Sequence, residues 1–236
     1  MDIDFNKIRL FSASLILSCI LLACGENENR EKTSVTSQSA KSETDEKNRS
    51  EKGVVLFFGN SLTAGYGVEA DESFPALIQK RIDSLGLPYT IVNAGISGET
   101  TATGLNRIDW VLDQQNISIF VLELGANDGL RGLPPEQTKD NLKAIISTVR
   151  EKQPSAEIIL AGMMVPPSMG QEYGKKYNRI FPEIAKEAEV DLIPFLLDNV
   201  GGIDSLNQDD GIHPNPAGNK IVVENVWSVL SGKLNK

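Results

Sequence analysis

The sequence predicts a three-layer α/β domain, in which helices cover both faces of a five-stranded parallel sheet. Five short runs rich in β-branched and aromatic residues alternate with longer segments of helical spacing. These runs are 54–58, 89–93, 119–124, 158–163 and 190–193. They are predominantly apolar and do not alternate apolar with polar residues, which indicates strands buried on both faces. Parallel strands need crossover helices, and such sheets carry their functional sites beyond the carboxyl ends of the strands.

The apolar spacing between these runs predicts the helices. Apolar residues recur at three- and four-residue steps over 74–85 and stop at Gly86, a residue typical of helix ends. A second helix follows the proline pair at 134–135 and carries the apolar positions of 142–149. Pro216 opens the last helix, because proline suits the first turn. No internal repeat and no second domain is evident.

The N-terminus differs in composition from the rest of the chain. Lys7 and Arg9 precede an apolar run over 10–22, which at about 13 residues is shorter than the roughly 20 needed to span a bilayer. This pattern predicts an export signal. The run ends at Cys24 in a segment that resembles a bacterial lipobox, and Cys19 fits that pattern less well. The resemblance implies cleavage before Cys24 and lipidation of its thiol.

The predicted organisation is therefore a lipoprotein signal peptide over 1–23, a lipidated Cys24 with a polar tether over 24–52, and a folded domain over 53–236. The tether is rich in Glu, Asn, Lys, Ser and Thr, and it lacks the apolar surface needed to offset chain entropy. We expect an exported protein held in the cell envelope by its lipid, either in the periplasm or exposed at the surface.

Composition narrows the chemistry of the domain. It contains no cysteine and a single histidine, so it has no disulfide and no site built from several His or Cys ligands; we expect neither a metal nor a cofactor. It contains 15 Lys and Arg against 23 Asp and Glu, a net charge of -8. Nucleic acid is repelled by such a surface and is not an expected partner.

The first candidate site follows the first predicted strand. Ser61 stands where a buried strand turns into a helix, so it is either a helix cap or a nucleophile. The segment is not a G-x-S-x-G elbow, because Thr63 occupies the position of the second glycine. The local sequence leaves both interpretations open.

Two more candidates follow the second and third strands. Gly95 and Gly98 flank a turn that can present free backbone N–H groups to an anion. Asn127 can offer a neutral side-chain donor to a developing oxyanion. Plain βα turns, in which Gly, Asn and Asp are common, are the alternative for each segment.

The fourth candidate precedes the last predicted helix. His213 is the only histidine in the chain, so any imidazole base must be this residue. Asp210 stands three residues earlier, a spacing at which the two side chains can meet, and a carboxylate on one ring nitrogen leaves the other free to accept a serine proton. The alternative is an Asx-turn beside a surface histidine.

These segments together resemble the SGNH hydrolases, also called the GDSL family, over residues 53–232. The four blocks of that family appear in order as Gly59 to Leu62, Gly98, Gly125 to Asp128, and Asp210 to His213. The first and last blocks look most like those of a bacterial subgroup of thioesterases, lysophospholipases and arylesterases. The resemblance implies a flavodoxin-like α/β/α sandwich.

By position, the resemblance implies that Ser61 is the nucleophile, His213 the general base and Asp210 the group that orients the imidazole. The Ser61 N–H, the Gly98 N–H and the Asn127 side chain would form the oxyanion hole. One departure is visible, since Asn60 stands where the family name has Asp. We interpret it as the loss of a local charge with no loss of chemistry.

The expected activity is hydrolysis of carboxylic esters through an acyl-enzyme on Ser61. The candidate substrates are short-to-medium acyl or aryl esters and lysophospholipids, small molecules or lipids met near the membrane, with thioesters as an extension. Methionines in the segment 163–170 suit an adaptable acyl pocket, or alternatively pack over the core. Removal of acetyl groups from carbohydrate and a catalytically silent, lipid-anchored binding module are the alternative functions.

Overall fold

A computed structural model describes residues 52–234 of the chain. The predicted signal peptide over 1–23 and the predicted lipidation site Cys24 lie outside the described residues. The predicted tether over 24–52 also lies outside them, apart from Lys52. None of the helices within 52–234 is both long and apolar enough to cross a membrane.

The centre of the domain is one parallel sheet of five strands, as predicted. The strands are β1 (Gly53–Gly59), β2 (Tyr89–Gly95), β3 (Ile119–Glu123), β4 (Glu157–Ala161) and β5 (Asp191–Ile193). They lie in the order β2-β1-β3-β4-β5, which is the flavodoxin-like order. All four neighbouring pairs are parallel. The chain order reverses between β1 and β3, and a crevice for ligands opens at such a switch point.

Helices cover both faces of this sheet. They are α1 (Ser61–Ala64), α2 (Phe74–Ser84), α3 (Thr101–Leu112), α4 (Ala126–Leu130), α5 (Pro135–Lys152), α6 (Gln171–Glu187) and α7 (Pro216–Leu230). Helices α3, α5 and α6 pack side by side, whereas α2 packs against α7. The three-layer α/β/α architecture is therefore confirmed.

The burial of the strand side chains explains why the strands could be predicted from the sequence. The central strands β1 and β3 bury almost every side chain, and apolar residues of both helical layers pack against them. The helix predicted over 74–85 ends at Ser84, beyond which Gly86 adopts a positive φ. The predicted run 158–163 is too long for β4, because the chain leaves the sheet at Gly162, whose backbone lies against Pro194.

Candidate active site

Ser61 lies at the carboxyl end of β1, as the first residue of α1. The N-cap of α1 is Asn60, whose side-chain oxygen accepts the N–H of Leu62 at 2.9 Å. The interpretation of Ser61 as the cap is therefore wrong, and the residue beside it has that role. The Ser61 side chain is left available for other contacts, and only 8% of the residue is exposed.

The backbone N–H groups around Ser61 are divided among nearby acceptors. The N–H of Asn60 and the N–H of Thr63 both donate to the Glu123 side chain, at 3.1 and 3.2 Å. Leu62 donates to the Asn60 side chain. Within residues 52–234, no acceptor takes the N–H of Ser61. Unpaired donors at the start of a helix favour negative charge, so this N–H is available to an oxyanion.

The structure brings Ser61, His213 and Asp210 into one hydrogen-bonded chain. The Ser61 Oγ lies 2.8 Å from the His213 Nε2, and the His213 Nδ1 lies 2.7 Å from an Asp210 oxygen. A carboxylate on Nδ1 places the ring proton there, which leaves Nε2 free to accept the proton of the serine hydroxyl. Ser61 and His213 are 152 positions apart in the sequence, and the fold brings their side chains into contact.

The two carboxylate oxygens of Asp210 have different partners. One of its oxygens accepts the N–H groups of Ile212 and His213, each at 3.0 Å, and the other contacts the imidazole. The Asx-turn considered from the sequence is therefore present, and it coexists with the contact to histidine. Partial burial opposes the charge of Asp210, but these hydrogen bonds outweigh it and hold the pKa of the carboxyl below its usual value. The group stays ionised at neutral pH.

The histidine segment is tied directly to the serine segment. The Gln208 side chain donates to the backbone oxygens of Tyr66 and Pro214, at 2.7 and 3.1 Å. The Tyr66 ring lies against the His213 imidazole, with 4.7 Å between the centroids. These contacts limit the movement of the imidazole relative to Ser61.

Gly98 and Asn127 complete the group of predicted site residues. Gly98 adopts a φ of 81°, a conformation that favours glycine, and its N–H has no acceptor among residues 52–234. The Asn127 Nδ2 donates one hydrogen bond to the Glu99 backbone oxygen at 2.9 Å. An amide group has two N–H donors, so the second stays available.

The loop that carries Gly98 is anchored on its buried side. The Arg107 guanidinium forms a two-point ion pair with the Glu99 carboxylate and also donates to the Ala94 backbone oxygen. The same guanidinium lies over the Phe58 ring, 4.0 Å from its centroid. This anchoring positions the Gly98 N–H and, through the Glu99 backbone, the Asn127 amide.

One buried group beneath the site was missed in the sequence. Glu123 is fully buried at the end of β3 and accepts hydrogen bonds from the turn that carries Ser61. A signal was available, because Glu123 is the only charged residue in the otherwise apolar run 119–124. Asn60 is also more than a lost charge, since its side chain caps α1 and donates to Glu123.

The methionine-bearing segment after β4 divides between the two alternatives. Met163 is buried in the core, whereas Met164 is about half exposed. No group of three or more His, Cys, Asp or Glu side chains in the part of the chain described is placed to hold a metal ion.

Comparison with known proteins agrees with this geometry. The model of the GDSL-like lipase/acylhydrolase family matches residues 57–221. Esterase TesA of Pseudomonas aeruginosa is 38% identical over 176 residues, which cover 75% of this chain and 87% of that protein. Thioesterase 1/protease 1/lysophospholipase L1 of Escherichia coli K12 is 40% identical over 161 residues, 68% of this chain and 75% of that protein.

Solved structures show the same similarity. The crystal structure of TesA matches with a TM-score of 0.74 at 38% identity, covering 77% of this chain and 99% of that chain. AlinE4, an SGNH-hydrolase family esterase, matches with a TM-score of 0.65 at 38% identity, covering 79% of this chain and 98% of that chain. With the family model matched over most of the folded domain, the chain belongs to the GDSL-like lipase/acylhydrolase family.

Proposed function

We propose that this protein hydrolyses carboxylic esters by two-step acyl transfer through Ser61. The observation that carries the proposal is the continuous contact from the Ser61 Oγ through the imidazole to Asp210, at 2.8 and 2.7 Å. His213 accepts the hydroxyl proton as the Ser61 Oγ attacks the ester carbonyl, and it then returns that proton to the leaving alcohol. Water, activated by the same imidazole, releases the acid from the acyl-enzyme.

The negative charge that develops on the carbonyl oxygen needs donors that are already in place. The Ser61 N–H, the Gly98 N–H and the second N–H of the Asn127 amide are the three candidates. Preorganised donors stabilise such a charge without reorganisation during the reaction, which makes them more effective than water. Family membership and the names of the relatives, esterase and arylesterase among them, support the same reaction.

An apolar rim at the carboxyl edge of the sheet suggests the class of ester. We define this rim by five exposed apolar side chains, each in a segment that follows a strand or precedes α7. They are Tyr66, Ile96, Leu130, Met164 and Ile212. Because these segments leave the same edge of the sheet, their exposed apolar side chains offer a surface for apolar ligands on the side of the sheet where Ser61 lies. The rim favours acyl chains or aryl groups over sugars.

The proposed substrates are short-to-medium acyl esters, aryl esters and lysophospholipids, and the range extends to thioesters. The relative from E. coli is named a thioesterase and a lysophospholipase. Acyl-coenzyme A is a cytosolic polyanion, and a domain with a net charge of -8 that is proposed to be exported does not suit it. We therefore rank oxygen esters first.

A chain-length series tests this substrate class. With p-nitrophenyl esters from acetyl to octanoyl, we expect kcat/KM to rise by about two- to fourfold per methylene, because each buried CH₂ contributes about 0.8 kcal/mol. Ile96→Ser should flatten the series. Trp110→Ser is the matched control, since Trp110 is exposed near the far end of α3 and outside the rim.

The alternative substrate class gives the opposite order. A carbohydrate O-acetylesterase would hydrolyse acetyl esters best and acetylated sugars better than lysophospholipids. A maximum at acetyl that Ile96→Ser leaves unchanged would exclude the proposed acyl preference while leaving the esterase reaction intact.

We also propose that the chain is an exported lipoprotein anchored in the cell envelope through Cys24. Support comes from the basic residues before a short apolar run and from the small residue Ala23 directly before Cys24. Labelling cells with a palmitate analogue should tag the wild-type protein, and Cys24→Ser should abolish both the tag and membrane fractionation. A soluble, untagged wild-type protein would contradict the anchor.

A further inference from the structure

Glu123 is a carboxylate that the proposed reaction does not use, although it lies directly beneath the nucleophile turn. It is the last residue of β3 and none of its surface is exposed. Burying an ionised carboxylate is unfavourable unless hydrogen bonds compensate for the lost water. A buried charge at this position therefore needs an explanation.

Four donors converge on this side chain, and all four belong to the turn that carries Ser61. The Asn60 N–H, the Thr63 N–H and the Thr63 hydroxyl donate to one oxygen, at 3.1, 3.2 and 2.7 Å. The Asn60 amide donates to the other oxygen at 2.8 Å. A carboxylate accepts at both oxygens, whereas a protonated carboxyl must use one of them as a donor. The arrangement suits the ionised form.

The close approach of the backbone shows that the turn is built around this carboxylate. A Cβ on Gly59 would lie 2.5 Å from a Glu123 carboxylate oxygen and 2.2 Å from the Thr63 hydroxyl. Any side chain at position 59 would therefore push the turn away from Glu123. Glycine lets β1 run directly over the carboxylate.

These contacts decide which N–H stays available at the nucleophile. The Glu123 carboxylate accepts the backbone N–H groups of Asn60 and Thr63. The Asn60 side-chain oxygen accepts the backbone N–H of Leu62. Only the Ser61 N–H in this turn is left for an oxyanion. Within residues 52–234, Glu123 makes no ion pair. The hydrogen bond between His213 and this turn is the one to the Ser61 Oγ.

We propose that Glu123 is a positioning residue for the ester hydrolysis: its carboxylate, with Asn60 as its partner, orients the Ser61 Oγ toward His213 and the Ser61 N–H toward the oxyanion. This inference rests on the proposed esterase function. It also gives the departure at position 60 a role, because the Asn60 amide donates to the Glu123 carboxylate, whereas an aspartate could do so only if the two carboxyl groups shared a proton.

Burial supplies a signature for this role. Burial raises the pKa of Glu123 to about 7, against the lowering effect of the hydrogen bonds from Thr63 and Asn60. The carboxylate therefore predominates only above that pH. Ionisation of Glu123 should tighten the turn as pH rises through about 7.

The first test is Glu123→Gln, with kcat measured per active site by titration with a fluorophosphonate. The nitrogen of the new amide would face the Asn60 amide nitrogen, donor against donor, and displace the turn that presents Ser61, so we expect kcat to fall about tenfold or more. KM should change little. The ratio of wild-type to variant kcat/KM should grow as pH rises through about 7 and then level off.

The second test exchanges the two groups. In Asn60→Asp alone, the carboxyl groups at positions 60 and 123 would lie in contact and share a proton. That proton is lost as pH rises, so kcat/KM should fall on the alkaline side of its pH profile. In the double variant Asn60→Asp with Glu123→Gln, the new amide donates to the new carboxylate, and every hydrogen bond of the turn is kept with one reversed. We expect this double variant to regain most of the kcat lost in Glu123→Gln.

A control variant and three possible results distinguish a positioning role of Glu123 from a structural one. Glu157→Gln, which alters an exposed glutamate at the opposite edge of the sheet, should have wild-type kcat at every pH. A merely structural role for Glu123 predicts a less stable protein whose folded fraction keeps wild-type kcat and a pH-independent ratio, and that result would overturn the inference. If Glu123→Gln does not fold, an exchanged variant no more active than Asn60→Asp at alkaline pH would overturn it equally. Failure of the esterase function itself would instead appear as an inactive, unlabelled wild type.

Discussion

His213→Ala is expected to reduce kcat for p-nitrophenyl esters by about 10⁶-fold, leaving only the catalysis that the oxyanion hole and substrate binding supply. His213 is the only histidine in the chain, and its Nε2 lies 2.8 Å from the Ser61 Oγ. Removing it leaves the hydroxyl without a base, and no other imidazole can take its place. The measurement is steady-state hydrolysis at pH 8, with circular dichroism to confirm the fold.

A second variant separates catalysis from folding. Residues that act as one unit lose activity together, so Ser61→Ala combined with His213→Ala should be no less active than either single variant. Additive losses would mean that the two residues act independently. Full activity of a folded His213→Ala protein would refute the proposed roles of all three residues.

Asn127→Ala should lower kcat by about 10² to 10³, which corresponds to about 3 to 4 kcal/mol of transition-state stabilisation. The Asn127 amide is fixed by its bond to the Glu99 backbone oxygen, so its second N–H is already oriented before substrate arrives. Because the loss falls on a group that binds the developing oxyanion, KM for short esters should change much less than kcat. Steady-state kinetics with p-nitrophenyl butyrate measures both constants.

The control for this prediction is Asn116→Ala. Asn116 is exposed in the loop before β3, at the edge of the sheet opposite the site, so kcat should match the wild type. A loss in Asn127→Ala that fell on KM alone would indicate that Asn127 binds the substrate without serving the transition state.

The strands and the general position of the site were predictable because they depend on short-range patterns. Apolar runs such as β1 and β3 are buried on both faces, and burial on both faces removes polar residues from the sequence. The segments after the strands could be inspected for chemistry because parallel strands end at one edge. His213 was identifiable because it has no competitor in the chain.

The contacts that hold the site were not predictable, because they join distant segments. Gln208 meets the backbone of Tyr66 across 142 residues, and Glu123 meets Asn60 across 63. Neither contact can be predicted from residue spacing, because the two partners lie far apart in the sequence. The N-cap of α1 could not be assigned from the sequence either, since Asn60 and Ser61 are both good capping residues and only the backbone geometry distinguishes them.

The most direct test of Ser61 as the nucleophile is labelling of the intact protein with a fluorophosphonate, followed by peptide mass spectrometry. An activated serine attacks the phosphorus, so we expect one adduct, on Ser61, lost in Ser61→Ala and strongly slowed in His213→Ala. A catalytically silent, lipid-anchored binding module would need no activated nucleophile. A folded wild-type protein that forms no adduct, or forms one on another serine, would contradict the account.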